Sequence, residues 1–241
     1  MSLKIAIIGY GKMGREIEKL APEEGHDPFV IVDNEDQWDE KSHQINQADV
    51  AIEFTSPGVV EQNIKRLVEK NIPVVTGTTG WHKKLRQIAH YVKKCNGTLF
   101  YASNFSVGVN IFFAVNEYLA KIMKDYTQYR IEAEETHHIH KLDAPSGTAV
   151  SMLEDIMKNN PRYTGWKLAE DHPGKDEIPV VAKRIAGVVG EHSIDYISDI
   201  DTLSLKHCAH SREGFAKGAL LAARWVKDKK GIFTMKDLLN I

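Results

Sequence analysis

Short apolar runs closed by glycine or a polar turn, each followed by a segment of helical spacing, set the pattern of the first hundred residues. Lys4-Ile-Ala-Ile-Ile-Gly9 has no polar break inside it, as in a strand covered on both faces of a parallel sheet. Behind it Met13, Ile17 and Leu20 recur at helical spacing while Arg15, Glu16 and Lys19 point away, and residues 22–25 close the helix. Residues 29–32, 50–54, 74–76 and 99–101 predict four more strands. Ser56-Pro57 predicts an N-cap and first helical residue ahead of Val60, Ile64, Leu67 and Val68, and a further helix is expected over 81–92. Strand alternating with helix implies right-handed crossovers and an α/β fold with a Rossmann-type, doubly wound parallel sheet.

Past residue 106 that alternation stops. A long apolar helix over 107–123 leads into strand-like stretches at 129–138, 180–185, 193–197 and 202–206. One helix interrupts them, 148–158, with Ala149, Leu153, Ile156 and Met157 on its buried side. The expectation is a second, α+β domain built on an open mixed sheet, largely antiparallel. A strong helix returns over 213–229, and 232–241 carries a short helical pattern. Both are expected to pack on the first sheet, which needs helices on both faces. The boundaries so read are 1–106 plus 213–241 for one domain and 107–212 for the other.

Charge narrows the partners. With 31 basic against 33 acidic residues the chain has a formal net charge of -2. It has no overall field to recruit nucleic acid or an anionic membrane, so neither is expected as a partner. The apolar runs are strand-sized, short of the roughly 20 residues a membrane span needs. The first residues enter a strand without a basic or signal-like segment, so a cytoplasmic location is expected. Cys95 and Cys208 stand far apart and form no CxxC pair, which suggests neither a disulfide framework nor a zinc site.

Gly9-Tyr10-Gly11-Lys12-Met13-Gly14 fits G-x-G-x-x-G between a strand and a helix. In that pattern the glycines permit the turn, the approach of a pyrophosphate and close helix packing, and the helix N-terminus faces the phosphates. Asp33 follows 33 − 14 = 19 residues after the last glycine, at the end of the second strand, where it accepts hydrogen bonds from a ribose. Asn34, not an arginine, comes next, so NADH is expected to serve at least as well as NADPH; Lys12 and Arg15 are the cations close enough in sequence to meet a 2′-phosphate. Gly77-Thr78-Thr79-Gly80 and Ala102-Ser103-Asn104-Phe105 fall at the carboxyl edge of the same sheet, where ligands of open α/β folds collect. The amide of Asn104 suits a nicotinamide carboxamide.

The segment Glu135-Thr136-His137-His138-Ile139-His140-Lys141-Leu142-Asp143-Ala144-Pro145-Ser146-Gly147-Thr148-Ala149 carries the other chemistry. If the strand persists, His137 and Ile139 share one face and His138 and His140 the other, so the histidines do not address one point without a bend; metal ligation stands as the alternative reading. Pro145-Ser146-Gly147-Thr148 opens a helix, offering N–H groups to a carboxylate, with Lys141 just ahead to neutralise charge and deliver a proton.

With these motifs in place, the chain resembles the dihydrodipicolinate reductases of lysine and diaminopimelate biosynthesis over nearly its full length. The resemblance rests on residues 9–14 and 77–80, on Asn104-Phe105-Ser106-Val107-Gly108-Val109-Asn110, and above all on 137–149. Gly187-Val188-Val189-Gly190-Glu191-His192 and Ser211-Arg212-Glu213-Gly214-Phe215-Ala216 also look like later motifs of that family. The resemblance implies NAD(P)H-dependent reduction of a small dicarboxylate, with His137 as catalytic histidine, Lys141 as proton donor, and His138, Gly147 and Thr148 holding carboxylates. It implies cofactor contacts from Gly9, Gly11, Lys12, Met13, Gly14, Asp33, Gly77, Thr78, Thr79, Ala102, Ser103, Asn104 and Phe105, no metal, and a homotetramer formed through the second domain. The chain departs from the family in two places. About sixteen residues separate Asp33 from Val50, where many members have more, and Asp33-Asn34 lacks their arginine. A different nicotinamide reductase, such as an amino-acid dehydrogenase, would share the glycine loop but gives no reason for the 137–148 arrangement.

Overall fold

The computed structural model describes residues 2–241. In chain order the elements are β1 (Lys4–Ile8), α1 (Lys12–Leu20), β2 (Asp27–Val32), α2 (Asp36–Glu40), α3 (Ser42–Ile45), β3 (Val50–Glu53), α4 (Val60–Glu69), β4 (Val74–Thr76), α5 (Leu85–Lys94) and β5 (Thr98–Tyr101). There follow α6 (Val107–Met123), β6 (Arg130–His137), α7 (Gly147–Asn159), β7 (Gly165–Leu168), β8 (Glu177–Arg184), β9 (Gly190–Ile197) and β10 (Thr202–Ala209). The chain ends with α8 (Glu213–Val226), β11 (Gly231–Phe233) and α9 (Met235–Leu239). Two compact units result: one runs to Val107 and resumes at Glu213–Ile241, the other is Gly108–Arg212.

The first unit is a six-stranded sheet in the order β11-β5-β4-β3-β1-β2, parallel throughout. Ile5 and Ile7 pack on one face with Ile17, Leu20, Ala219, Leu220 and Ala223 of α1 and α8. Ala6 and Ile8 pack on the other with Val60, Ile64 and Leu67 of α4 and Ile88 and Val92 of α5. Both faces of β1 are thus covered, which is why its sequence shows no polar alternation. The chain leaves β1 toward β2 and β3 toward β4, in opposite directions along the sheet, so the carboxyl ends of β1 and β3 open onto a crevice.

Some local expectations change. The helix read as starting at Ser56-Pro57 begins at Val60 with no side-chain cap, because residues 56–59 form a turn in which Ser56 O accepts from both Val59 N and Val60 N at 3.2 Å. The helix read over 81–92 becomes a 3₁₀ turn, His82–Lys84, and then α5. The tail read as helical first supplies β11, paired with β5, before the short α9, whose capping box joins Thr234 and Asp237. Residues 36–45, which gave no pattern, hold α2 and α3.

α8 meets the loop after β5 at Gly218, where a Cβ would fall only 1.8 Å from the Phe105 carbonyl oxygen. Backbone on one side and a buried helix on the other leave no flexible group to yield. Gly218→Ala is expected to lower stability by about 3 kcal/mol, read by urea unfolding. An unchanged midpoint would show that the helix shifts freely there.

The second unit has five strands in the order β10-β9-β6-β8-β7. Its sheet is mixed and not largely antiparallel: β10 and β6 run antiparallel to β9, but β8 runs parallel to both β6 and β7. The crossover through α7 returns the chain parallel to β6, as a helical connection does. Ile131, Ala133, Ile178, Val180, Ile194 and Tyr196 face Phe112, Leu153 and Ile156 of α6 and α7 in one core. The buried Asn116 ties α6 to α7 through Nδ2 to Met152 O at 2.9 Å.

Candidate active site

In the first unit the glycine loop curls at the carboxyl end of β1. Gly9 has φ +90°, and a side chain there would strike the Phe54 backbone; one on Gly14 would strike Gly9 O. Gly11, in contrast, has open space above it. Asp33 closes the loop from β2, its Oδ1 accepting from Tyr10 N at 2.7 Å. Beside them lies a cavity of about 410 Å³ lined by Gly9, Tyr10, Gly11, Asp33 and residues of the β3–α4 turn. Space over Gly11 at a helix start, with a carboxylate at the end of β2, fits the pyrophosphate and ribose of a dinucleotide.

The Gly77-Thr78 turn is fixed from beneath by Glu53, a fully buried carboxylate. Glu53 accepts from Thr55, Thr76 and Thr78 hydroxyls, the last at 2.9 Å, while Thr78 Oγ1 accepts from Thr55 N and Thr78 O accepts from Trp81 Nε1. Thr78 is therefore buried and spent on the turn, whereas Thr79 is exposed. Phe105 likewise points inward, packed on Phe54 and Phe100, and Asn104 Oδ1 accepts from Ser106 N at 2.9 Å.

In the second unit the sheet register assembles the chemistry. On β6, Glu135 and His137 point to the covered face; His192 on β9 is paired with Glu135, and Arg184 on β8 with His137. The strand ends at His137 instead of persisting, and a turn with Lys141 N on His138 O follows. His137 Nδ1 lies 3.1 Å from Glu135 Oε2, an ion-pair distance without the alignment of a hydrogen bond. Glu135 also accepts from Ser146 N and from Arg184, each at 3.0 Å. The same guanidinium reaches Asp143 O at 2.6 Å and Lys141 O at 3.4 Å, clamping the 141–143 loop against the sheet. Ser146 caps α7 by accepting from Ala149 N and meets His192 Nε2 at 3.1 Å. Helix geometry leaves Gly147 and Thr148 N–H without partners inside α7. Lys141 Nζ pairs with both Asp143 oxygens at 2.8 and 2.9 Å, and His138 Nε2 lies 3.4 Å from Arg212.

Burial pushes the Glu135 carboxyl up, but the adjacent His137 ring together with hydrogen bonds from Ser146 and Arg184 outweighs it and brings its pKa down to about 2. Burial, then the neighbouring His137, lowers His192 to about 4, against the opposing pull of Glu135. Burial and then Arg212 also lower His138. Between the ordinary value of 6.5 and about 4, the unfolded chain takes up a proton that folded His192 refuses, so stability falls as pH falls through that window. Glu135 extends the loss from 4.5 toward about 2, where the unfolded carboxyl protonates first. In urea unfolding across that range, His192→Gln is expected to flatten the upper part of the decline; a native-like slope would remove His192 as its source.

Glu135, His137 and His192 bring three ligand-type atoms within 4.8 Å of one another, a set whose composition suits a divalent metal. Glu135 is already committed to Arg184, a cation that any metal there would have to face. Sequence reasoning marked His137, His138, Lys141, Gly147 and Thr148, and all belong to this unit. It missed Arg184, whose 49-residue separation from Glu135 carries no local signal, and the roles of Glu135 and Ser146.

A glycine-loop parallel sheet joined to an α+β unit with this cluster defines a two-domain NAD(P)-linked oxidoreductase. The chain belongs to the dihydrodipicolinate reductase family: residues 3–105 match the family described as "Dihydrodipicolinate reductase, N-terminus" and 108–239 the one described as "Dihydrodipicolinate reductase, C-terminus". It is 43% identical over 240 residues to a 4-hydroxy-tetrahydrodipicolinate reductase of Christiangramia forsetii, covering 99% of this chain and 98% of that one. A reductase of the same name from Staphylococcus haemolyticus is 32% identical, with 98% and 100% covered. Among solved structures, a dipicolinate-bound dihydrodipicolinate reductase from Paenisporosarcina sp. TG-14 shares the fold at TM-score 0.79 and 22% identity, with 97% and 98% covered. Among the described residues, no helix is long and apolar enough to cross a membrane.

Proposed function

We propose that this chain is a cytoplasmic NAD(P)H-dependent 4-hydroxy-tetrahydrodipicolinate reductase, forming tetrahydrodipicolinate for lysine and diaminopimelate synthesis. The observation that carries the reading is 43% identity across both units to a protein of that name. Gly9, Gly11, Lys12, Met13, Gly14 and Asp33 hold the adenosine half of the cofactor, with Gly77, Thr78, Thr79 and Ala102, Ser103, Asn104, Phe105 beside the nicotinamide. When bound, the dinucleotide supplies hydride.

The chain's own residues handle charge and protons. A substrate with two carboxylates repels incoming hydride, so its charge must be offset first. Gly147 and Thr148 N–H at the positive end of α7, with His138, take the carboxylates. Once the 4-hydroxyl has left as water and hydride has added to the unsaturated ring, Lys141, exchanging Asp143 for a substrate carboxylate, gives its proton to the ring atom left electron-rich. His137, with Glu135 beside it, stands next to the ring.

The direct test follows NADH and NADPH oxidation by absorbance on freshly condensed pyruvate and aspartate semialdehyde. Oxidation that needs both precursors and their synthase is expected, with NADH at least as effective as NADPH. No oxidation by folded protein that still binds NADH would overturn the substrate.

The second unit is proposed to assemble four copies. Ile111, Val115, Tyr118 and Ile122 form an exposed stripe along α6, Tyr118 at 66% exposure, and edge strand β10 is uncovered. Light scattering should give the mass of four 27.2 kDa chains; a monomer would refute it.

A further inference from the structure

Glu35 and Arg66 form an ion pair beside the nucleotide cavity that neither the glycine loop nor Asp33 explains. Arg66 binds Glu35 with two nitrogens, NH1 to Oε2 at 2.9 Å and NH2 to Oε1, and its guanidinium lies 5.2 Å over the Trp38 ring. Glu35 and Trp38 line the cavity from one side, and Val59 and Asn63 from the α4 side. Arg66 stands three residues past Asn63 on the same helical face. The lining thus includes two carboxylates, Asp33 and Glu35, and no lysine or arginine. Arg15 stands next to the cavity without lining it: its Nε lies 3.3 Å from Tyr10 O, and its guanidinium stacks on the Tyr10 ring.

We propose that Glu35 sets cofactor choice: it lines the cavity beside Asp33, where a 2′-phosphate would sit, and its carboxylate holds Arg66 outside that lining. The inference rests on the dinucleotide reading of this cavity. A phosphate monoester carries between one and two negative charges near neutrality, so two flanking carboxylates repel it. A planar guanidinium is the side chain best shaped to receive it, and Arg66 is engaged in a two-point bond to another oxyanion at the surface. Neutralising Glu35 therefore acts twice in one direction, removing a repulsion and releasing a cation.

Fluorescence titration with NADH and NADPH tests this without any substrate. The native protein is expected to bind NADH more tightly. Glu35→Gln should raise NADPH affinity relative to NADH by about tenfold, roughly 1.4 kcal/mol. Adding Arg66→Ala to Glu35→Gln should return most of that gain. An unchanged ratio in Glu35→Gln, or a native preference for NADPH, would overturn the proposal; a gain that survives loss of Arg66 would overturn the arginine's part. Binding of neither cofactor would overturn the dinucleotide reading and this inference with it. Cofactor binding without reductase activity would strike only the substrate assignment.

Discussion

Replacing Lys141 with alanine is expected to lower kcat by about 10²- to 10⁴-fold while NADH affinity stays within about twofold, since a positioned proton donor contributes on that scale. The ammonium stands 2.8 Å from Asp143 and its own backbone carbonyl is held by Arg184, so the side chain is aimed by the loop and not by cofactor contacts. Lys141→Arg separates the two jobs of the residue. A guanidinium keeps the charge but does not release a proton in this pH range, so KM should recover more than kcat. Equal recovery of both would leave Lys141 as a carboxylate ligand only, and unchanged turnover in the alanine variant would remove it from the chemistry.

Glu135→Ala should cost stability and turnover together. Its carboxylate is fully buried and receives Ser146 N and Arg184, so truncation leaves the Ser146 amide without its acceptor and the Arg184 guanidinium without its counter-charge. Breaking such a pair costs about 3–5 kcal/mol. Glu135→Gln keeps the volume and a carbonyl acceptor but removes the charge beside His137. It is expected to fold, with kcat down by about tenfold or more and a shifted acid limb of the kcat–pH profile. A glutamine variant of native activity and profile would reduce Glu135 to a purely architectural residue.

The pattern of residues made the first sheet legible because its strands are buried on both faces and its helices carry one apolar stripe each. Beside α2 and α3, three features escaped for separate physical reasons. β7 is a four-residue edge strand with no fully buried position, so nothing in Gly165–Leu168 alternates. β11 takes its place only by pairing with β5, a partner more than a hundred residues away. The turn at 56–59 carried Ser-Pro, a favoured helix opening, yet its Ser56 and Val59 line the nucleotide cavity instead. At the sites, side chains close in sequence were found and their distant supports were not. Arg184 and Arg66 reach their partners across 49 and 31 residues, and only sheet register or helix packing brings them there. The histidines read as splayed along a strand instead bend away after His137, because β6 ends where its pairing with Arg184 ends.

The seating of Gly218 against Phe105, together with the β11–β5 pairing, bears on how the chain emerges from the ribosome. The glycine-loop unit is synthesised ahead of the intervening one, yet one face of its sheet has only α1 over it until α8 arrives with Ala219, Leu220 and Ala223. The intervening unit, Gly108–Arg212, has all of its strands and helices available before that point. Order of completion therefore reverses order of synthesis: the intervening unit matures first, and the older one waits, with apolar surface showing, for α8.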